Sequence, residues 1–300
     1  MRIIDAQIHD VGPWFDWTSE RIELQHRIMT ELMIAYLDAA GVQGVVLFPG
    51  GDDSSASYAA ELLPDRCGFV PHITPDEPDV EAAVRAAKDR QKKGLLGLRA
   101  IVGWPLDGRE VARLEAGIWD PVFAACERHG VPLFLFITGW LSKAAGIATR
   151  FPKLVLIVDH LGLRQPPLDQ AEDPPFKSLP QLLELAKYPG VHVKLCGLPA
   201  LSRESYPYKD VAAPLRAIVD AFGAGRLMWA SDATRFAGRI GIGRFQNPRT
   251  LESYPGKHSY ADSMHFVRDS TVLSAAEKEA ILGGTAQAVL NWHVSRTLKG

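Results

Sequence analysis

The strongest constraint on the fold of this chain is an alternation. Short β-branched or aromatic runs recur along it, and most are followed by a stretch of helical character. The runs are Arg2–Ile8, Gln43–Phe48, Gly68–Ile73, Leu95–Ile101, Val131–Thr138, Leu154–His160, Val191–Cys196 and Arg226–Ser231. Several are almost continuously apolar, the pattern of parallel strands covered on both faces. Between them, His26–Ala40, Asp79–Lys93, Arg109–His129, Leu179–Tyr188 and Tyr208–Phe222 have the composition and period of helices. Gly41, Gly94, Gly130 and Gly223 stand where a helix C-terminus needs positive φ. Eight such units without a compositional break predict an α/β fold, a (β/α)8 TIM barrel. An open doubly wound sheet is the competing arrangement, but no strand-linked G-x-G-x-x-G supports its dinucleotide-binding form.

At the usual domain size, 300 residues would suggest two domains, yet a barrel of about 250 residues folds as one unit. The chain is therefore read as a single domain over residues 1–300. Its excess length falls in three long connections, His9–Gln25, Leu161–Ser178 and Ala233–Ser259. They follow the first, sixth and eighth strands, so a barrel places them at the C-terminal face, where substrates bind.

With 47% hydrophobic and 23% charged residues, the composition excludes a disordered, fibrous or coiled-coil chain. A net charge of −2, from 33 Lys and Arg against 35 Asp and Glu, gives no overall pull toward nucleic acid or an anionic membrane. The expected partner is a small-molecule substrate, with no nucleic acid and no membrane, while a homo-oligomer is left open. Cys67, Cys126 and Cys196 match no zinc or redox spacing and read as reduced, buried thiols. Together with an N-terminus lacking an apolar signal region, they give a cytoplasmic expectation.

In a barrel, polar residues at the C-terminal strand ends are the first candidates for chemistry. Gln7 and His9 alternate at the end of the first strand and so share a face. His160 ends the sixth strand and Asp232 follows the eighth, so two imidazoles and one carboxylate converge on one mouth. Asp232 could instead cap the following segment, and His160 could simply hydrogen-bond within the mouth. Lys194 lies on the seventh strand between Val193 and Leu195. An inward ammonium there needs a partner, either substrate or a salt bridge with Asp5 or Asp159.

Arg99, Arg164 and Arg235 lie near the fourth, sixth and eighth strand ends, and Arg forks suit carboxylates. The last connection adds Arg239, Arg244, Arg249 and Lys257 against the single acid Glu252, a set read mainly as a solvated loop. Trp14, Phe15, Trp17 and Trp140 could wall a ring pocket or merely cover the barrel top. His72 is close enough to the third strand's end to reach the mouth, but no neighbouring residue strengthens it.

Several segments together resemble the amidohydrolase-related family, in order from the first strand to the last helix. They are Ile4-Asp5-Ala6-Gln7-Ile8-His9, Gly97-Leu98-Arg99, Phe151-Pro152-Lys153 leading to Asp159-His160-Leu161-Gly162, Trp229-Ala230-Ser231-Asp232, and Ile281-Leu282-Gly283-Gly284-Thr285-Ala286 with Asn291-Trp292. The resemblance implies a deformed TIM barrel acting on small substrates, and the nearest branch is that of lactonases such as 2-pyrone-4,6-dicarboxylate lactonase. Two departures stand out. Gln7 occupies the first position of the family's usual His-x-His, and Phe136-Ile137-Thr138-Gly139-Trp140 offers no fifth-strand His.

The expected cofactor is none, or one zinc-like divalent ion on His9, His160 and Asp232; the metal-free form is favoured because an amide is a poor substitute for imidazole. The expected activity is hydrolysis of a small, anionic lactone-like or ester-like substrate. Asp232 would activate water, with His9, His160 and Lys194 polarising the carbonyl. Gln7, Arg99, Arg164, Arg235 and Trp140 would bind substrate. A metal-dependent decarboxylase or other carbon–carbon lyase, and a non-catalytic small-molecule-binding barrel, are the alternatives.

Overall fold

The computed structural model describes residues 1–9, 22–50, 52–164, 172–232 and 258–294. Most of the connections expected after the first and eighth strands lie outside these residues, as do residues 165–171 of the one after the sixth, and with them Trp14, Phe15, Trp17, Arg235, Arg239, Arg244, Arg249, Glu252 and Lys257. Eight parallel strands appear among the described residues: β1 (Ile4–His9), β2 (Gly44–Phe48), β3 (Cys67–Phe69), β4 (Leu98–Ile101), β5 (Leu133–Phe136), β6 (Leu156–Val158), β7 (Val191–Cys196) and β8 (Leu227–Ala230). Regular pairing runs β1-β2-β3 and β4-β5-β6-β7-β8. Parallel bridges Phe69↔Leu95 and His72↔Arg99 join the two sets. On the other side, the Asp232 amide donates to the Gln7 carbonyl at 2.9 Å. The expected TIM barrel is the observed architecture.

Every strand falls inside or within one residue of its expected run, usually shorter, because regular pairing stops where the chain bends toward the ends of the ring. One helix expectation is corrected. Arg109–His129 is two helices, Arg109–Glu115 and Asp120–His129. Gly117 turns left-handed between them (φ 77°), and Pro121 sits in the first turn of the second, where its missing amide hydrogen does no harm. Gly41, Gly94, Gly130 and Gly223 all take the positive φ expected of them.

Strand alternation sorts the core into two layers. Ile4, Ala6, Val46, Phe48, Val70, Leu96, Phe134, Ile157, Cys196, Met228 and Ala230 pack together inside the ring. Val45, Leu47, Leu133, Leu135, Leu156, Val158, Val193, Leu195, Leu227 and Trp229 pack outward with the helices. Continuing the inward rows upward brings Arg99, Asp159, Lys194 and Asp232 to the same interior.

β1 breaks its own alternation. Asp5 pairs with Val45 but Ile8 pairs with Leu47, so three steps on one strand match two on the other. This one-residue bulge shifts the parity, and a bulge near a site commonly re-aims a side chain in this way. Below it Ile4 and Ala6 face inward; above it His9 pairs with the inward Phe48, so Gln7 and His9 face the interior.

Asp5 belongs to the seam between β1 and β8 rather than to Lys194. Its carboxylate accepts from the Gln7 amide at 3.1 Å, the Ser231 amide at 2.8 Å and the Tyr260 hydroxyl at 3.0 Å. Burial pushes the Asp5 carboxyl up to about 6, and these hydrogen bonds only partly oppose the shift. Between the usual 3.8 and about 6 the folded chain holds a proton that the unfolded chain has lost, so this group's contribution to stability falls as pH rises through that window, by about 3 kcal/mol in all. Asp5→Asn keeps an acceptor for the two amides and removes the titration. In denaturant melts, raising the pH from 4.5 to 7.5 should shift the stability difference by about 2 kcal/mol in favour of Asp5→Asn; a pH-independent difference would contradict the assignment.

Candidate active site

The inward rows build the site in layers. At its base, Lys194 from β7 is fully buried, with Nζ 2.7 Å from Asp159 Oδ1 and 4.0 Å from the centre of the Phe48 ring. Arg99 from β4 holds the other carboxylate oxygen, Nε to Oδ2, at 2.8 Å and lies against the rings of Phe48 and Phe136. Burial alone would push the Asp159 carboxyl up; the charges of Lys194 and Arg99 outweigh it and hold Asp159 well below the usual carboxylate range. Burial also loosens the Lys194 proton, against the pull of Asp159. Of the two partners open to Lys194 from the sequence, Asp159 is the one observed.

Lys194 also donates to Gln7 Oε1. An ammonium has no acceptor, so this bond fixes which end of the amide is oxygen. Gln7 Nε2 must then face upward, where it lies 3.2 Å from His9 Nε2 and 3.3 Å from Asp232 Oδ1. His9 is held from behind by the Phe48 carbonyl, 3.0 Å from Nδ1. A carbonyl only accepts, so Nδ1 carries a proton and Nε2 is the atom that faces the site. His9 Nε2 and Asp232 Oδ1 are 3.2 Å apart.

His160 and Asp232 both adopt left-handed backbone at the strand ends, φ 53° and 50°. Such conformations cost of order 1–3 kcal/mol outside glycine and cluster at functional sites. At His160 the turn swings a side chain out of strand alternation onto the edge of Phe136, with ring centroids 5.6 Å apart, and leaves Nδ1 4.0 Å from Asp232 Oδ2.

The structure thus brings Gln7, His9, His160, Asp232, Arg99 and Lys194 into one cluster. Lys194 lies beneath Gln7, wholly enclosed by Gln7, Asp159 and aromatic rings. Arg164 is exposed and runs along Gly139, and Trp140 is half-buried against the helix-facing core. Arg235 lies outside the described residues.

Three contributors escaped the sequence reading. Asp159 entered it only as one partner open to Lys194, although it organises both cations. His72 stands beside Arg99 through a strand bridge, and its Nε2 is buried without a hydrogen-bond partner among the described residues. Burial first, then the charges of Arg99 and His9, push this imidazole down to about 4, so it is neutral at pH 7. Cys196 lies two residues beyond Lys194 and therefore on the same inward row. With His160 and Asp232 it places ligand-type atoms within 4.8 Å of one another, all three side chains buried. Strand alternation was the signal that would have found it.

That group differs from the expected metal set of His9, His160 and Asp232. Amide hydrogens of Gln7 point at the two atoms, His9 Nε2 and Asp232 Oδ1, between which an ion held by the first strand would sit. A donor there does not fit such an ion, and Cys196, not His9, completes the ligand-type group.

Residues 4–292 match the amidohydrolase family, and the chain belongs to it. L-fucono-1,5-lactonase of Burkholderia ambifaria is 29% identical over 195 residues, covering 63% of this chain and 60% of that protein, so the match spans less than two thirds of the relative's length. 4-Sulfomuconolactone hydrolase of Hydrogenophaga intermedia is 29% identical over 236 residues, 76% of this chain and 73% of the relative. A crystal structure of an amidohydrolase from Burkholderia multivorans with bound HEPES covers 97% of this chain and all of its own at a TM-score of 0.69 and 20% identity. A second, with bound zinc, gives 0.67 and 19%. These structural likenesses show the fold.

The Asp159 pairing has a direct consequence for stability. Asp159→Asn leaves Lys194 and Arg99 facing each other without their anion and should lose about 3–5 kcal/mol in urea melts. Asp159→Asn combined with Lys194→Met should recover part of that loss. A single substitution that costs under 1 kcal/mol would show the pairing to be unimportant.

Proposed function

We propose that the protein hydrolyses a small anionic lactone, with Asp232 as the base that activates water. The observation that carries this reading is the Asp232 carboxylate at the barrel mouth, held by Gln7 on one oxygen and flanked by His9 and His160. Both curated relatives reported above are named as hydrolases of lactones, which supports the reaction class.

Asp232 takes a proton from water as the water oxygen adds to the lactone carbonyl carbon, and negative charge develops on the carbonyl oxygen. His160 and His9 lie beside that position, and an imidazole N–H there stabilises the charge. Collapse breaks the ring C–O bond, and the departing alkoxide takes the proton back through the Asp232–His9 contact. Gln7 and Lys194 act below this level, Lys194 by fixing the amide that orients His9 and Asp232. The misfit of an ion between His9 and Asp232 supports hydrolysis without a metal.

Arg99 supports an anionic substrate. It gives Asp159 only its Nε; neither Nη hydrogen-bonds to a described residue. With the neutral imidazole of His72 alongside, those nitrogens form a site for a carboxylate or similar group. Arg164, Trp140 and Arg235 are proposed to complete substrate binding, within a single catalytic domain.

A panel of anionic and neutral lactones followed with a pH indicator tests both parts. Asp232→Asn should lower turnover by about 10²–10⁴-fold, and equal rates in the two proteins would remove Asp232 from the role of base. Arg99→Met should raise KM for anionic lactones roughly tenfold more than for neutral ones, about the worth of one charge-assisted contact. An equal effect on both would dissociate Arg99 from substrate charge.

A further inference from the structure

Asp232 has two sides. Oδ1 faces His9 and Gln7, while Oδ2 faces His160. Cys196 approaches Asp232 and His160 from the end of β7, immediately before Gly197 turns the chain left-handed (φ 75°). A thiol, an imidazole and a carboxylate therefore meet from three adjacent strands, all buried, and the hydrolytic reading uses the thiol for nothing.

We infer that His160, Cys196 and Asp232 form a thiolate-containing site for a borderline or soft divalent cation, zinc or cadmium, and that filling it inhibits hydrolysis. Ligand atoms 2.0–2.3 Å from a tetrahedral ion stand about 3.3–3.8 Å apart, so a span of 4.8 Å closes with small side-chain rotations. On binding, the thiol loses its proton to solvent and the sulfur forms the metal bond, with no change of oxidation state. Asp232 then spends a lone pair on the metal and is lost as a base; this inhibitory half rests on the function proposed above.

Neighbouring charges permit a cation there. Asp159 offsets one of the two positive charges of Lys194 and Arg99 beneath the site, and Asp232 and the thiolate offset more. The other two cysteines do not compete. Cys67 and Cys126 pack in the helix-facing layer, where burial pushes each thiol up to about 12.

Cobalt(II) reports sulfur ligation directly through a near-ultraviolet thiolate-to-cobalt charge-transfer band. Titration of the full chain should develop this band to one equivalent, zinc should abolish it, and Cys196→Ser and Cys196→Ala should both lack it. Absence of the band in the native protein, or its persistence in folded Cys196 variants, overturns the site. Cadmium, whose thiolate complexes also absorb, repeats the measurement on the native chain without any substitution.

Zinc should inhibit lactone hydrolysis by the native protein over the range in which it displaces cobalt. Cys196→Ser should need roughly tenfold more zinc or beyond for the same fractional inhibition, since even indirect supports of a metal ligand are worth that much. Zinc that raises turnover would overturn the inhibitory half. Full activity in Asp232→Asn would remove the hydrolytic reading while leaving the cobalt band as independent evidence for the site.

Discussion

Lys194 carries a positive charge inside the barrel with no solvent to stabilise it, and the arrangement of the mouth follows from how that charge is satisfied. An unpaired buried ion costs several kcal/mol, so the ammonium demands partners from adjacent strands. Asp159 supplies one and in turn engages Arg99; Gln7 supplies the other through its amide oxygen. Because the ammonium can only donate, the amide has one orientation, and its hydrogens fall on His9 and Asp232. The geometry of the proposed base is thus set from below by a fully buried ammonium.

Backbone irregularities aim the groups that do. Strict alternation along β1 would send Gln7 and His9 toward the helices, and the bulge between Asp5 and Ile8 reverses that. The left-handed turn at His160 brings two consecutive residues, Asp159 and His160, to the same mouth. Such local strain persists only where the surroundings enforce it. Here they do so through the Asp5 carboxylate, which gathers the Gln7 and Ser231 amides and the Tyr260 hydroxyl at the β1–β8 seam, and through the Asp232 amide bonded to Gln7.

Much of the fold was legible because its signals are local. Apolar runs, helical periodicity and glycines at helix ends depend on a few residues at a time, and all eight strands were found from them. The Arg109–His129 helix failed because composition carried more weight than Gly117 and Pro121, which break it. At the site, Gln7, His9, His160 and Asp232 could be read from strand ends and from resemblance to the family. The choice between Asp5 and Asp159 for Lys194 could not, since uninterrupted alternation puts Asp5 on the face of Gln7 and His9, and only the bulge in β1 turns it away from the interior. For Cys196 the spacing from the other cysteines carries no information, and the spacing of two from Lys194 is the informative distance. His72 has no informative sequence neighbour, because its neighbour in space, Arg99, comes from the next strand.

The central claim is that Gln7, fixed by Lys194, organises Asp232 for hydrolysis in place of a metal. The most direct test is turnover of an anionic lactone by protein stripped with a chelator, with the metal content of the same sample measured by elemental analysis. The account predicts undiminished turnover at far below one ion per chain. Loss of activity on stripping, restored in proportion to added zinc, would contradict it.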